Sequence, residues 1–418
     1  MPAAIAMTAL STQQRKRGIM ALMITTFFAW GGFFIVIPLV AVHYVDNLGW
    51  AAGTVGIALA VRQLAQQSLT MGFGMVCDRI GPKPLICVGM LVRALGFLAM
   101  AWAESFTAVV LALLLAGLGG SLYEAPKSAA LAALALPEER QRIFSLVGVV
   151  GGIGTTVGTQ LGALLIPYDF SLVCIASAIC YVIIFFQMLV IMPHIKVSTG
   201  GQSQMSGLGM VLRDRRFMIF LAILCGYYFS TTQFGLTITL AATRIAGTDA
   251  AVAWIYAVNA AATIGLGYLL PRFLERWFSS LSLLIGGTAI VGIGLAMVGF
   301  AGSTLGILLA AAVFSLGAIL ARPGQETVTA NLADPAARGT YFGVAALSLA
   351  IGGSMGNFLG GLIYGQQTDG GNATGPWILF ATIAVATALA LWLYDRWTAA
   401  PEPEPVIAPT ATQRRAAD

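Results

Sequence analysis

Long apolar stretches alternate with short polar ones along almost the whole chain. A helix of about 20 mainly apolar residues is long enough to cross the hydrocarbon part of a bilayer. Twelve stretches meet this requirement, and we number them spans 1 to 12. The first six cover residues 19–45, 53–76, 84–103, 105–126, 142–167 and 170–193, and the second six cover residues 217–242, 251–270, 280–301, 303–322, 340–364 and 376–397.

A polar stretch at residues 194–216 separates the spans into two sets of six. We therefore predict an all-α membrane protein with two six-helix bundles, at residues 19–193 and 217–397. Residues 1–18 precede span 1, which is too long for a cleaved signal sequence and lacks a clear cleavage site. Residues 398–418 contain PEPEP and QRR, a composition that predicts a disordered tail.

Composition supports the membrane assignment and argues against other classes. Of the 418 residues, 58% are hydrophobic and only 9% are charged, whereas soluble domains carry roughly a quarter charged residues. The five cysteines form no CxxC pair and have no histidine nearby, so we expect neither a disulfide framework nor a metal site. The sequence has no GxxxxGKS or GxxxxGKT loop, which argues against ATP-driven pumping.

The short loops differ in charge on the two sides of the predicted membrane. One set holds nearly all of the lysines and arginines. The placement of these residues therefore indicates how the chain is oriented in the membrane, and the net charge of +5 does not indicate nucleic-acid binding. The opposite loops hold one basic residue, Arg244. They also hold the acids Asp46, Glu104, Asp169, Asp249 and Asp369. Because basic loops stay in the cytoplasm, we expect both termini and the linker to be cytoplasmic.

An internal repeat becomes visible when the chain is shifted by 198 residues, the separation of Gly119 and Gly317. GGSLYEAPKSAALAALALPEERQRIFS then aligns with GAILARPGQETVTANLADPAARGTYFG, so span 4 corresponds to span 10 and span 5 to span 11. Matches in the loops, such as Pro137 with Pro335, argue against chance similarity between two glycine-rich helices. Two related halves favour a transporter with a site between them.

The turn between spans 2 and 3 reads GFGMVCDRIGPKP and carries Gly74, Asp78, Arg79, Gly81 and Lys83. With twelve spans in two halves, this turn resembles the signature of the major facilitator superfamily. Within that family the chain looks most similar to the bacterial drug/proton antiporters, in particular to MdtH-type multidrug resistance proteins. The resemblance implies the major facilitator fold, with two pseudo-symmetric bundles, in the bacterial inner membrane.

Two positions depart from the antiporter pattern. Leu113 stands where an arginine is common in span 4, and the span 5 stretch from Gly154 to Thr159 lacks the usual proline. Antiport is therefore implied by overall likeness rather than by intact motifs.

The charged turn is expected to act in gating. In the resembled family, the acid at the position of Asp78 meets the N-terminal end of span 11, where the helix dipole favours it. We expect Arg79 and Lys83 to reach Glu124. The repeat aligns Glu124 with Arg322, which suggests a latch between the halves. Glu326 is a rival partner for Arg322 at i,i+4, and proton transfer is an alternative role for Glu124.

Two arginines fall inside spans, where charge is costly and is therefore a functional candidate. Arg62 shares a face of span 2 with Gln63, Gln66 and Gln67. This face is either a contact for substrate or gating, or a polar seam against a neighbouring helix. Arg93 lies in span 3, and we expect it to pair with a carbonyl group or an acid.

In the resembled fold, spans 1, 4, 7 and 10 line the cavity. Apolar and aromatic walls with a few hydroxyl groups suit lipophilic ligands, although lipid-facing aromatic residues look the same in a sequence. The candidate cavity residues are Trp30, Phe34, Arg62, Gln66, Tyr123, Tyr227, Tyr228, Thr231 and Gln233, with Asn259 and Asn357 as further polar contacts.

Glycines recur every fourth residue in spans 5 and 11, a spacing that lets helices pack closely. We expect these residues to mark an interface rather than a binding site, and Gly74 and Gly81 to allow close approach and a tight turn at the signature. The stripe consists of Gly154, Gly158, Gly162, Gly352, Gly356 and Gly360.

These observations predict a secondary active transporter and not an enzyme. The leading hypothesis is proton-coupled efflux of amphipathic drugs or metabolites, and hence antibiotic resistance, by alternating access. The alternative is a proton-coupled uptake symporter for an anionic or neutral metabolite, and a scaffold or receptor is a third class. We expect a monomer in the lipid bilayer that binds a lipophilic small molecule and protons, no nucleic acid and no cofactor, with the proton gradient as its energy source.

Overall fold

The computed structural model describes residues 11–136, 139–193, 195, 204–267, 269–334, 338–369 and 374–398, and the regular secondary structure in these ranges is helical. The first ten residues and the predicted tail beyond residue 398 lie outside them. Spans 1 to 6 are Thr12–Asn47, Ala52–Ile80, Pro82–Met100, Phe106–Leu134, Arg140–Leu165 and Phe170–Ile191.

A linker helix, Gln204–Arg213, precedes the second half. Span 11 consists of Arg338–Ser348, the π-helical turn Leu349–Gly353, and Ser354–Asp369. The remaining spans of this half, 7 to 10 and 12, are Arg215–Ala246, Ala250–Leu266, Ser280–Gly299, Thr304–Leu332 and Gly375–Thr398, and a short helix, Leu269–Leu274, follows span 8.

Helices occupy all twelve predicted positions. Within the described residues, ten helices are long and apolar enough to cross a membrane. Span 2 is a helix of 29 residues whose polar face, with Arg62 and its neighbouring glutamines, lowers its hydropathy. Span 8 is apolar but only 17 residues long. The chain therefore has the helical pattern of a multi-pass membrane protein.

The repeat found in the sequence is present in the helix boundaries. Spans 4 and 10 are both 29 residues long, and they begin at the equivalent residues Phe106 and Thr304. The preceding serines, Ser105 and Ser303, cap these helices by accepting hydrogen bonds from backbone N–H groups at 3.3 and 3.2 Å. An N-cap serine satisfies a donor that the helix itself leaves unpaired.

The packing inside each half follows the same repeat. A Cβ atom at Gly89 would lie 2.8 Å from the Gly119 carbonyl oxygen, and one at Gly287 would lie 2.6 Å from that of Gly317. Spans 3 and 4 therefore cross at the same glycine pair as spans 9 and 10. Glycine is required here because any side chain would separate the two backbones.

The glycine stripes of spans 5 and 11 pack within the halves rather than between them. Gly158 lies against the backbone of Gly31 in span 1, and the equivalent Gly356 lies against Phe229 in span 7. Gly154 and Gly162 contact span 1, and Gly352 and Gly360 contact span 7. The stripes therefore do mark a close helix interface, but each one fixes a pair of helices inside one bundle.

Among the described residues, spans 1, 7 and 11 depart from regular α-helix, and span 1 does so at its end, in the π-helical turn Val42–Asn47. Span 7 is interrupted by a short 3₁₀ turn, Gln233–Gly235, and span 11 by its own π-helical turn. Such interruptions are frequent at hinges and functional sites because they leave backbone groups free to change partners.

Candidate functional site

The two halves meet along spans 2 and 11 and along spans 5 and 8. The Ser354 hydroxyl donates a hydrogen bond to the Ala60 carbonyl oxygen at 3.2 Å, and the Gln160 side-chain amide donates to the Ala253 carbonyl oxygen at 3.0 Å. Gly56 packs against the Asn357 backbone. All of these contacts lie toward the end of the bundle that carries Asp46, Glu104, Asp169 and Asp249, which we call the acidic end.

An ion pair joins the halves at the acidic end. A carboxylate oxygen of Asp46 lies 3.6 Å from Nε of Arg244, and the other oxygen accepts a hydrogen bond from the Thr243 hydroxyl at 2.9 Å. Partial burial and the nearby charge of Asp46 raise the pKa of Asp249, which lies beside this pair. His43, in contrast, stacks on Phe170 at 4.0 Å. Asp46 of span 1 therefore binds the first half to span 7 of the second half.

The opposite end, which we call the basic end, contains the signature turn. Gly81 has a φ of 84° and lies where a Cβ atom would be 2.9 Å from the Ile195 carbonyl oxygen, so the predicted tight turn requires glycine. Gly74 lies close to Ala125 in span 4. Arg79 is exposed. Asp78 falls in the last turn of span 2, and its side chain lies outside the described part of the chain.

Lys83 does not contact Glu124 in the structure. Its ammonium group donates hydrogen bonds to the carbonyl oxygens of Leu189 and Met192, at 2.9 and 2.7 Å, and the side chain is buried. These carbonyls belong to the C-terminal end of span 6, which has no partners within its own helix and carries a partial negative charge. Lys83 therefore caps the C-terminal end of span 6.

Glu124 and Arg322 do not form an ion pair with each other in this structure. Glu124 lies 3.1 Å from Lys127 in the same helix, and Arg322 lies 3.4 Å from Glu326 at the predicted i,i+4 spacing. The Arg322 and Glu326 side chains are 69% and 63% exposed. The charges of Glu124 and Arg322 are thus each paired within their own helix. An ion pair between the halves at the basic end stays a prediction for another conformation.

A chain of aromatic rings crosses between the halves at the centre of the interface. Trp30 stacks on Phe34 at 5.9 Å, and Phe34 contacts Tyr256 of span 8 at 5.9 Å. Tyr256 contacts Phe234 at 5.0 Å, which in turn lies 5.3 Å from Phe314 of span 10. Trp30 and Phe34 are only partly buried, so part of each ring remains exposed.

Three predicted cavity residues make packing contacts in this conformation. Gln233 is fully buried, and its amide donates to the carbonyl oxygens of Phe229 and Gly356 at 2.9 and 3.0 Å, which joins span 7 to span 11. Asn357 is buried where span 11 meets span 2. Asn259 donates to the Ser315 hydroxyl at 2.9 Å within the second half.

The remaining candidates lie on spans 4 and 7. Tyr123 and Tyr227 are buried inside their own halves. Tyr228 is partly buried and donates to the Gln325 side chain at 3.2 Å, and the partly buried Thr231 donates to the Tyr228 carbonyl oxygen.

Arg62 donates to the side chains of Gln63 and Gln66 at 3.0 and 2.9 Å, which makes this face of span 2 a connected polar cluster. Arg93 has no carbonyl or carboxylate partner among the described residues, contrary to expectation. It lies over the rings of Phe33 and Tyr181 instead.

Comparison with known proteins identifies the family. The model of the Major Facilitator Superfamily matches residues 22–357. The chain belongs to this superfamily. It is 39% identical over 385 residues to the multidrug resistance protein MdtH of Cronobacter sakazakii, covering 91% of this chain and 95% of that protein. It is 38% identical over 381 residues to MdtH of Klebsiella pneumoniae subsp. pneumoniae, with the same coverage.

Solved structures of this superfamily share the fold. The nucleoside transporter NupG superimposes with a TM-score of 0.76 at 16% identity, covering 90% of this chain and 98% of that one. A POT family transporter superimposes with a TM-score of 0.79 at 12% identity, covering 91% and 96%. The major facilitator fold expected from the signature turn is therefore confirmed, and the chain is a transporter rather than an enzyme.

Sequence reasoning missed Tyr256, Phe234 and Phe314, which complete the aromatic chain of this transporter, and the pair of Asp46 with Arg244. A signal existed for the pair, because Arg244 is the one basic residue among acidic loops. No comparable signal identified the aromatic residues, since their partners lie in other spans.

Proposed function

We propose that this transporter exports amphipathic drugs or metabolites by alternating access, driven by the proton gradient across a bacterial inner membrane. The observation that carries the proposal is the asymmetric closure between the halves. Asp46 and Arg244 join them at the acidic end, while Glu124 and Arg322 are satisfied separately at the basic end. With the acidic end outside, this arrangement is an inward-facing conformation ready to take up substrate from the cytoplasm or the inner leaflet.

The chemistry of the interface fits lipophilic substrates. The partly buried rings of Trp30, Phe33 and Phe34 present a broad apolar surface, and Tyr228 and Thr231 add hydroxyl groups. Such a surface binds by shape and dispersion and tolerates varied ligands. The named activity of the MdtH relatives, multidrug resistance, agrees with this chemistry. We propose that the chain works as a monomer without a cofactor.

Vesicle transport tests this proposal. Purified protein in proteoliposomes, oriented and given an imposed pH gradient, should move the lipophilic cation rhodamine 123 uphill against the proton flow. Collapse of the gradient with nigericin should abolish the uphill movement. Uphill flux that ignores the pH gradient would contradict proton coupling, and flux only in the direction of the proton flow would favour the uptake symporter.

A further inference from the structure

Two arginines are buried deep in the first half beside one aromatic ring. The guanidinium carbons of Arg62, in span 2, and Arg93, in span 3, lie 5.1 and 5.0 Å from the centre of the Phe33 ring. Arg93 also lies 5.2 Å from the Tyr181 ring. Arg62 and Arg93 are only 6% and 4% exposed. Two positive charges from neighbouring helices therefore share one small, dry region.

Nothing among the described residues neutralises these charges. The ion pairs of the described chain involve neither arginine, and the hydrogen-bond acceptors of Arg62 are the neutral amides of Gln63 and Gln66. Arg93 makes no hydrogen bond in the described region, and Nε of each arginine has no partner. Like charges in a region of low dielectric constant repel each other.

Aromatic contacts alone do not account for this arrangement. A desolvated cation–π contact recovers only part of the free energy that burying an ion costs. Two uncompensated cations would make the first half less stable than the same helices with leucine at these positions. A bound anion removes the deficit, because it pairs with both guanidinium groups and accepts their free N–H donors.

The region borders the interface between the halves. Phe33 and Gln66 are partly buried rather than enclosed. The Gln63 amide lies 3.5 Å from the position of a Cβ atom at Gly353, at the π-helical turn of span 11. The polar cluster of Arg62, Gln63 and Gln66 thus borders the second half at the π-helical turn of span 11.

We propose that Arg62 and Arg93 bind the carboxylate of an aromatic amphipathic substrate, whose ring system packs along Phe33 and the neighbouring Phe34. Guanidinium groups match the geometry of a carboxylate, and the adjacent Phe33 ring favours a flat organic acid over a bare inorganic ion. The inference rests on the proposed transport of small molecules and names a substrate class for it. It makes zwitterions and organic acids preferred substrates over simple lipophilic cations.

A matched pair of dyes provides the test. Rhodamine 110 carries a free carboxyl group, and rhodamine 123 is its methyl ester. Fluorescence anisotropy with the full chain in nanodiscs, without a pH gradient, should show about tenfold tighter binding of the acid. Arg62→Gln and Arg93→Gln should each remove this preference and change binding of the ester less than twofold. Arg396→Gln, at an exposed cation–π contact with Trp392, should leave both affinities unchanged.

Equal affinity of the wild-type protein for the two dyes would overturn the proposal. An equal loss of affinity for both dyes in the arginine variants would also overturn it. A chloride-dependent change in protein fluorescence, without discrimination between the dyes, would assign the arginines to an inorganic ion and also overturn it. If a glutamine variant does not fold, Arg93→Lys keeps the charge but loses the planar donors, and should reduce the preference partly. Because binding is measured without a gradient, failure of proton coupling in vesicles leaves this result intact.

Discussion

At the scale of single residues, charged side chains at the basic end hold helix ends in place. Lys83 caps span 6, and Nε of Arg15 donates to the Leu134 carbonyl oxygen at 2.9 Å, at the end of span 4. Both arrangements follow from the free carbonyl groups and the partial negative charge at a helix C-terminus. These two basic residues therefore stabilise the ends of neighbouring helices.

Replacing Lys83 tests this role. Lys83→Met removes two charge-assisted hydrogen bonds and leaves the carbonyl groups of Leu189 and Met192 buried without partners. We expect a loss of about 2 kcal/mol in the free energy of unfolding, seen as a lower midpoint of thermal unfolding in detergent. Lys16→Met, at an exposed position of span 1, is the control and should leave the midpoint unchanged. Equal midpoints for the wild-type protein and Lys83→Met would show that the cap contributes nothing.

At the scale of elements, the molecule is built from helix pairs that touch through glycine. Spans 1 and 5 form one such pair, and spans 7 and 11 form its repeat. In the stripe of span 5 and at Gly352 the nearest atoms belong to the backbone, so these contacts cannot relax by a rotamer change. Gly356 and Gly360 also face the side chains of Thr232 and Gln233. Each pair therefore moves as a unit, and the changes between conformations are left to the contacts of spans 2, 5, 8 and 11.

A substitution in the stripe should break such a unit. A Cβ atom at Gly158 would overlap the Gly31 carbonyl group, whereas Gly152 in the same helix has open space around it. We expect Gly158→Ala to lower stability by about 1–3 kcal/mol through overpacking, and Gly152→Ala to have little effect. Thermal unfolding and the monodisperse fraction after size-exclusion chromatography measure both. A Gly158→Ala protein as stable as Gly152→Ala would contradict the close contact.

The turn between spans 2 and 3 carries a prediction that comes from the family resemblance. Asp78→Asn removes a charge expected to interact with the helix dipole of span 11 when the basic end closes, an interaction of about 1 kcal/mol. Gradient-driven flux of rhodamine 123 should fall about fivefold, while its equilibrium binding stays within twofold. Glu104→Gln, at an exposed acid of the acidic end, is the matched control. Loss of binding in a folded Asp78→Asn protein would argue against a latch.

At the scale of the whole molecule, closure of the acidic end depends on charge. In this structure, with the acidic end closed, Asp249 lies partly buried near Asp46, and both the burial and the charge raise its pKa. A carboxyl group with a raised pKa in the closed form stabilises that form when it is protonated. This contribution is fully present below the pKa of the open form and is lost as the pH rises through the pKa of the closed form.

Acidification should therefore favour closure of this end. Fluorescent labels at Tyr168→Cys and Phe300→Cys, exposed positions in opposite halves at the acidic end, would report their separation by energy transfer once the native cysteines are replaced. Lowering the pH from about 7.5 to about 5.5, across the range above the ordinary carboxyl pKa, should increase the closed fraction. Asp249→Asn should abolish this response, and a response that persists unchanged would exclude Asp249 as its source.

The sequence determined the features that depend on local pattern. Apolar length predicted helices at twelve places, the shifted alignment predicted that span 4 corresponds to span 10, and Gly81 predicted a tight turn. Tertiary structure decided the features that depend on which spans become neighbours. Lys83 donates to carbonyl groups of span 6 rather than to Glu124. Asp46 pairs with Arg244, and Arg93 contacts aromatic rings and no carboxylate of the described residues. Periodicity along one helix carries no information about the partner helix, because partners are set by packing between residues far apart in the chain.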